Sequence, residues 1–474
     1  MTESFEAVVV GAGPNGLVAA VTLAEAGIST LLVEAETTVG GGTRTAELTL
    51  PGFLHDVCSA IHPLAMASPA LSRLPLTEHG LEIIHPPVPV AHPLDDGGAV
   101  VMRRSIDVTA AGLGQDGLAY SYLMAPLLRD WEHITRQLMG PLRPPRHPGV
   151  MARFALDGVR SATGLAAALF TTEPARALFA GIAGHSILPL TQRPTAGMGL
   201  FLGLLAHAVG WPLARGGSQS IADALCSYFQ SLGGKVITGQ RVETLDQLPP
   251  HQVVILNLTP RQVIKVARKR LPDRYVERLG RYRYGPGVFK VDWALDGPVP
   301  WASELCSLSA TVHVGGTMNE IVNAEEWVAK GIHPQRPYVI VAQPSLFDAS
   351  RAPKGKHTLW GYCHVPHGSE IDMTNAIENQ IERFAPGFRD LVLERSAMGP
   401  QALERHNANL VGGDIVGGAQ DLVQLFARPL PRLNPYTTPD RRIFVCSAST
   451  PPGGGVHGMG GYYAARSVVK RHFS

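Results

Sequence analysis

The sequence predicts an α/β protein, on three observations. A short apolar run, Ala7–Val10, leads straight into Gly11-Ala-Gly-Pro-Asn-Gly16, and a helix-periodic stretch follows. A second strand, Thr30–Val33, ends on the acid Glu34. Near the other end, Arg442–Cys446 reads as a strand that enters another glycine-rich loop and then an apolar helix, Tyr462–Val469. The chain has 474 residues, more than one compact core holds, so two domains or more are expected.

The N-terminal unit comes first. A continuous apolar strand is one buried on both faces, as in a parallel sheet. Leu17–Ala26 carries the helical period, and Gly27 stops it. Between strand and helix the glycines have separate tasks. Gly11 makes the tight turn, Gly13 lets the backbone approach a pyrophosphate, and Gly16 lets the helix pack on the strand. The free N–H groups and positive end of the helix that opens at Pro14 and Asn15 attract that pyrophosphate. Glu34, followed by Ala35, can accept hydrogen bonds from ribose hydroxyls and would repel a 2′-phosphate, which disfavours NADP. Strand, glycines, helix and acid together make a Rossmann βαβ unit.

The next segment, Val39-Gly-Gly-Gly-Thr-Arg-Thr45, bears on which dinucleotide is bound. Gly41 and Gly42 let the chain run beside an extended cofactor, and Arg44 can reach its phosphates. The alternative is a flexible turn that happens to contain Arg. Toward the C-terminus, Ser447–Gly461 repeats strand, glycine loop and helix N-terminus, a geometry suited to a flavin ring edge or ribityl chain. No acid follows about twenty residues on, so this is not a second nucleotide fold. One dinucleotide cofactor, FAD, is expected, with no dedicated NAD(P)H domain.

Composition bounds the rest. A net charge of +2 gives no electrostatic case for nucleic acid or strong attraction to anionic lipid. Five scattered cysteines without a C-x-x-C pair argue against a disulfide framework, a zinc site and a dithiol centre. No metal is expected. A reducing compartment follows, and Met1–Ala7, with Glu3 and Glu6 and no Lys or Arg, does not read as a secretory leader. A cytoplasmic protein is expected, with weak peripheral membrane contact and a homodimer left open. The apolar stretch Ala196–Trp211 is too short for a membrane span and contains His207. It reads as a buried helix or as the wall of an apolar tunnel.

Together the N-terminal unit, the Gly-Gly–Arg segment and the loop Pro452-Gly-Gly-Gly-Val-His-Gly458 resemble the phytoene desaturase-like FAD oxidoreductases, within the larger amine-oxidase-like flavoprotein superfamily. The likeness is greatest to a bacterial branch of NAD(P)/FAD-dependent oxidoreductases related to the mitochondrial pyridine nucleotide-disulphide oxidoreductase domain-containing protein. It extends to Gly210-Trp-Pro, Gly285–Asp292 and Val411-Gly-Gly-Asp414. The resemblance implies that Gly11, Gly13, Gly16, Glu34, Gly41 and Arg44 hold the cofactor. It also implies that Val242 lies against the adenine, and that Gly454, Gly455 and Val456 sit at the isoalloxazine. It implies a Rossmann-type FAD-binding domain from residues 1–70, 212–285 and 430–474, and a discontinuous α+β substrate domain from 71–211 and 286–429. Carotenoid desaturases carry Gly-x-x-Thr-His-Pro before these glycines, where this chain reads Ser447-Ala-Ser-Thr-Pro-Pro452. The departure bears on the substrate rather than on the flavin.

Local signals place a helix at Ala222–Leu232 and strands at Lys235–Thr238 and Val253–Leu258. The Pro-rich stretches Pro86–Pro93 and Pro141–Pro148 are expected to be loops.

The expected chemistry is hydride transfer from a substrate C–H to flavin, with desaturation, saturation or isomerisation of an apolar, lipid- or terpenoid-like molecule. Dioxygen or a quinone is the expected electron acceptor. An amine or small-alcohol oxidase is one alternative, and a flavin-binding scaffold without turnover is another. Three residues are catalytic candidates. Lys290 lies in Phe289–Leu295, which alternates like a strand and puts Lys290, Asp292 and Ala294 on one face. In the amine oxidases a lysine at the similar point lies near the flavin, where a cation favours reaction with dioxygen. The other reading of Lys290 is a solvated charge pair with Asp292. His457, between glycines, is expected at the ring. His62, with His55 and Asp56 close by in sequence, is either a site residue or a satisfied core histidine. Asp414, beside Gly-Gly, is first a turn residue.

Overall fold

The computed structural model describes residues 4–473. Residues 1–3 and Ser474, the outer limits of the expected FAD-binding segments and part of the Met1–Ala7 reading, lie outside the described residues.

Two sheets organise the chain. In the first, five parallel strands run in the order Ile443–Val445, His251–Leu256, Phe5–Val10, Thr30–Val33 and Lys235–Ile237. Phe5–Val10 is the middle strand, which is why its sequence is apolar on both faces. One face packs against the helices Pro14–Glu25, Gln219–Ser231 and Met459–Val468, and the other against Pro260–Ala267 and Asp273–Gly280. The C-terminal helix returns to lie on the first helix. A Cβ at Gly461 would stand 1.7 Å from the Asn15 carbonyl oxygen, so the two backbones touch there.

The second sheet has seven strands, in the order Val392–Met398, Gly287–Leu295, His357–Val365, Val339–Ala342, Ser309–Val314, Val88–Pro93 and Ala99–Met102. Gly287–Leu295 pairs antiparallel with His357–Val365 along its whole length. Its alternation sorts the faces as the sequence predicts. Phe289, Val291, Trp293 and Leu295 join a core with Ile377, Ile381 and Phe384 of the helix Thr374–Phe384. Burying each such side chain contributes about 1.5–3 kcal/mol. The opposite face, with Lys290, looks into a cavity between the two sheets.

One expectation needs correcting. Pro86–Pro93 is not all loop, because Val88–Pro93 is a buried strand inside the second sheet. The prolines fit because of where they fall. Pairing with Ala99–Met102 begins at Val90 and ends at Pro93, so Pro89 precedes that ladder and Pro93 closes it. Residues 141–147 are irregular, and Pro148 opens the helix Pro148–Gly158. The stretch Ala196–Trp211 contains the helix Thr195–Ala208, buried along most of its length. Its His207 is satisfied by the Tyr120 hydroxyl at 2.6 Å and the Arg104 carbonyl at 3.1 Å. No helix among the described residues is long and apolar enough to cross a membrane.

Candidate functional site

One continuous cavity of about 440 Å³ runs from the C-terminal ends of the first sheet's strands to the inner face of the second. Its outer end is the turn after Phe5–Val10. Gly11 has φ +93°, a conformation that favours glycine. At Gly16 a Cβ would lie 1.9 Å from the Gly11 carbonyl oxygen, so the close helix–strand packing expected of Gly16 is met; Gly16 itself is not in the wall. Gly11, Gly13, Pro14 and Asn15 are in the wall. Gly13 caps the helix with no side-chain hydrogen bond, which leaves the first-turn N–H groups free for an anion. Gly41 and Gly42 line the facing side, and a Cβ at Gly41 would sit 2.9 Å from Gly13 Cα. Only glycines let these two segments pass so closely beside a ligand.

Glu34, Ala35, Arg44 and Val242 also line this end. Glu34 holds more of the protein than the sequence suggests. Its Oε2 accepts from the Ala12 N–H at 2.6 Å, and its Oε1 from the Glu36 N–H at 3.0 Å and Arg44 Nη2 at 3.2 Å. Arg44 also donates to the Thr38 carbonyl, while its buried Nε has no partner. A buried guanidinium N–H left over beside free helix N–H groups is the chemistry a phosphate satisfies.

Gly454, Gly455 and Val456 line the middle of the cavity. Close approach dictates the glycines. A Cβ at Gly455 would stand 2.4 Å from Leu64 Cδ1, and one at Gly454 would stand 2.7 Å from Val416 Cα. His457 is corrected: it is not in the wall. Its Nδ1 accepts from the Met459 N–H at 3.1 Å and its Nε2 meets the Gly453 carbonyl at 3.2 Å, so the ring holds the loop from behind. Burial keeps it neutral, with a pKa of about 4. His62 is in the wall and satisfied, with Nε2 2.8 Å from Ser218 Oγ and Nδ1 3.3 Å from Ser59 Oγ. Its ring is therefore a satisfied buried histidine that also faces the cavity. Asp414 accepts from the Gly285, Val416 and Gly417 N–H groups, a turn residue as expected.

Lys290 lines the cavity and is ion-paired with Asp292. The pair is not solvated: Lys290 is 2% exposed and Asp292 fully buried. Asp292 Oδ1 lies 3.6 Å from His55 Nδ1, and neither atom has a hydrogen-bond partner. His55 Nε2 reaches Thr49 Oγ1 at 2.8 Å. A second buried pair, Arg351 with Asp56 at 2.9 Å, stands alongside. Burial lifts the Asp292 carboxyl to about 6 despite Lys290, and burial with the Lys290 and Arg351 charges lowers His55 to about 3. Buried pairs of this kind add little stability, because desolvation offsets their attraction. Of these residues Lys290 alone lines the cavity; Asp292, His55, Asp56 and Arg351 stand behind it.

Beyond Lys290 the cavity is apolar and aromatic. Ile340, Trp360 and Tyr362 form its floor on the second sheet, and Met198, Leu202 and Trp211 face them. The helix Thr195–Ala208 is thus both buried and a wall. Ile187, also in the wall, has φ +53°, rare for a β-branched residue and costing roughly 1–3 kcal/mol. Such strain persists only where the surroundings impose it.

Several wall residues escaped the sequence. Asn257 ends the strand His251–Leu256, and its Nδ2 donates to the Gly11 carbonyl at 3.1 Å. An apolar strand ending in Asn was the available signal. Asn407 and Asn409 reach the groove from the loop after the helix Pro400–His406, and Asn409 Oδ1 accepts from the Thr259 N–H. Nothing local marks that loop. Cys58 lines the wall too, and burial raises its thiol to about 11, un-ionised at neutral pH.

Residues 9–74 match the family model of an NAD(P)-binding Rossmann-like domain. The chain is 27% identical over 560 residues to pyridine nucleotide-disulfide oxidoreductase domain-containing protein 2 of Rattus norvegicus, spanning 98% of this chain and 93% of the rat protein. The Mus musculus protein is 26% identical over the same shares. Among solved structures, the fold is similar to that of an oxidoreductase from Methanosarcina mazei, with 17% identity, TM-score 0.67, and 98% and 100% of the two chains covered. A triple mutant of putrescine oxidase is similar at 18% identity and TM-score 0.65, with 99% of each chain covered. Cyclohexylamine oxidase from Brevibacterium oxydans is similar at 15% identity and TM-score 0.58, covering 99% and 98%. At these identities the solved structures establish the fold, an α/β protein with a parallel Rossmann-like sheet and a separate mixed sheet.

Proposed function

We propose that this chain is an FAD-dependent oxidoreductase that binds FAD non-covalently and takes hydride from a largely apolar, lipid- or terpenoid-like substrate. One observation carries the reading: a single cavity joins the Rossmann turn at Gly13 to an aromatic chamber, and Lys290 lies in its wall. The Rossmann match and the oxidoreductase relatives support it. The free N–H groups after Gly13, the leftover Arg44 Nε and the close glycine passages fit an extended dinucleotide.

FAD, when bound, supplies a two-electron acceptor for hydride. The chain's residues bind and orient it. The N-terminus of the first helix would hold the pyrophosphate, Gly454–Val456 would leave room for the ring, and the apolar chamber would exclude water. Lys290 would present a cation at the chamber wall, where it would favour negative charge. Asp292 holds that cation in place.

A second reading, an amine or small-alcohol oxidase using dioxygen, draws on Lys290 and on the fold shared with putrescine and cyclohexylamine oxidases. Anaerobic bleaching of the bound flavin by unsaturated terpenoids, alcohols and amines separates the readings. Bleaching by an apolar alcohol or polyene supports the first, and bleaching by amines alone supports the second. No bleaching by any class, with photoreduction complete, would leave a flavin-binding scaffold.

A further inference from the structure

We infer that the substrate is an uncharged molecule with one carbonyl or hydroxyl group, anchored by Tyr362 and His185, and that the chamber rejects ammonium and carboxylate ligands. The inference rests on the reading above that the chamber is the substrate site.

The charges of the wall carry the argument. Its carboxylates, Glu34 and Glu36, belong to the nucleotide end. In the chamber half, Lys290 is the one formal charge among the described wall residues. The carboxylates nearest the chamber stand behind the wall, each committed to a partner: Asp292 to Lys290, and Glu325 to His364 at 2.8 Å. A substrate ammonium would find no counter-ion there. Of the aromatic wall, the Trp360 ring is already faced by a cation, with Lys290 Nζ 5.8 Å from its centre. A carboxylate would have to share Lys290 with Asp292 and give up its own hydration in an apolar chamber.

Neutral hydrogen-bonding groups remain. Tyr362 stands directly across the strands from Lys290 and from Ile340, facing the chamber. It is 7% exposed, and its hydroxyl has no hydrogen-bond partner among the described residues. A hydroxyl that makes no hydrogen bond to the protein and belongs to a wall residue is free to bond a ligand oxygen. His185 enters from the end of the helix Glu173–Gly184. Its Nε2 is 3.0 Å from His313 Nε2, which leaves Nδ1 for a ligand. Burial keeps His185 neutral, so Nδ1 donates or accepts according to the tautomer. Trp211 stands edge-on to the His185 ring and extends the apolar wall around it. Met198, Leu202 and Ile340 give the wall surface that fits hydrocarbon.

Four eight-carbon probes test this at pH 7.5 on the FAD-loaded protein: octane, 2-octanone, octylammonium and octanoate. Binding is read by flavin difference spectra and by the fluorescence of Trp211 and Trp360. Octylammonium and octanoate should bind at least tenfold more weakly than 2-octanone. Tyr362→Phe should weaken 2-octanone about fivefold, the worth of one neutral hydrogen bond, and leave octane unchanged. His185→Gln, which can keep the bond to His313, should do the same. Either ion binding as tightly as the ketone would overturn the inference, and so would an unchanged ketone affinity in both variants. Failure of the protein to hold FAD would sink the cofactor reading alone, because the tryptophans still report on the chamber.

Discussion

At Gly16 there is room for a hydrogen atom and little else. A methyl group would meet the Gly11 carbonyl oxygen at 1.9 Å, and that oxygen is backbone, so it cannot yield without moving strand or helix. Gly16→Ala should therefore cost about 1–3 kcal/mol of stability, the usual penalty for overpacking, and weaken FAD with it. Urea unfolding with and without FAD checks both. Lys290 needs a different design. Lys290→Met alone strands a fully buried Asp292 carboxylate, so the informative variant is Lys290→Met with Asp292→Asn. Stopped-flow reoxidation of the photoreduced double variant by dioxygen should be at least tenfold slower than wild type, about 1.4 kcal/mol of barrier or more. A rate within about twofold would remove the lysine from the mechanism. The sequence placed Lys290 and Asp292 on one strand face but could not show that face to be dry. Alternation reports which side chains share a side, and burial depends on what packs above.

At the scale of elements, the glycine loop before the C-terminal helix is the most constrained feature. Gly455 has φ +119°, and a Cβ there would run into Leu64. Gly455→Val should raise the Kd for FAD at least tenfold in titrations of the apoprotein, with far-UV circular dichroism little changed. An affinity equal to wild type would place the ring elsewhere. This loop was legible because glycine marks close approach wherever it falls. The strand Val88–Pro93 was not, because two prolines in six residues read as a loop. They are tolerated at the limits of one ladder, and those limits are set by a partner strand that local sequence does not reveal. The helix Thr195–Ala208 shows a similar limit. Uniform apolarity says that it is buried, and only the fold shows that Met198 and Leu202 face a cavity.

The whole molecule carries an unusual load of buried neutral histidines. Burial lowers His55 and His185 to about 3, and His62, His92 and His457 to about 4. Between pH 6.5 and 4 the unfolded chain takes up protons at these sites while the folded chain does not. Stability therefore falls as pH falls through that window. Asp292, raised to about 6, opposes the trend, since the folded chain holds its proton longer. Five groups outweigh one, so the Tm should drop by about 5 °C or more between pH 7 and 5, as calorimetry would read. A flat or rising Tm would mean that these histidines titrate freely. We also expect little direct reduction by NADH or NADPH, because the single Rossmann turn is assigned to FAD. Rapid anaerobic bleaching by either nucleotide would show a second nucleotide site. The most direct test of the account is the release of flavin from the purified protein by heat. FAD should appear intact in the supernatant at close to one per chain, leaving a colourless precipitate, because Cys446 and His457 lie outside the cavity wall and the Cys58 thiol is un-ionised. A protein that holds no flavin, or one whose flavin stays on the denatured chain, would contradict non-covalent binding of FAD in this cavity.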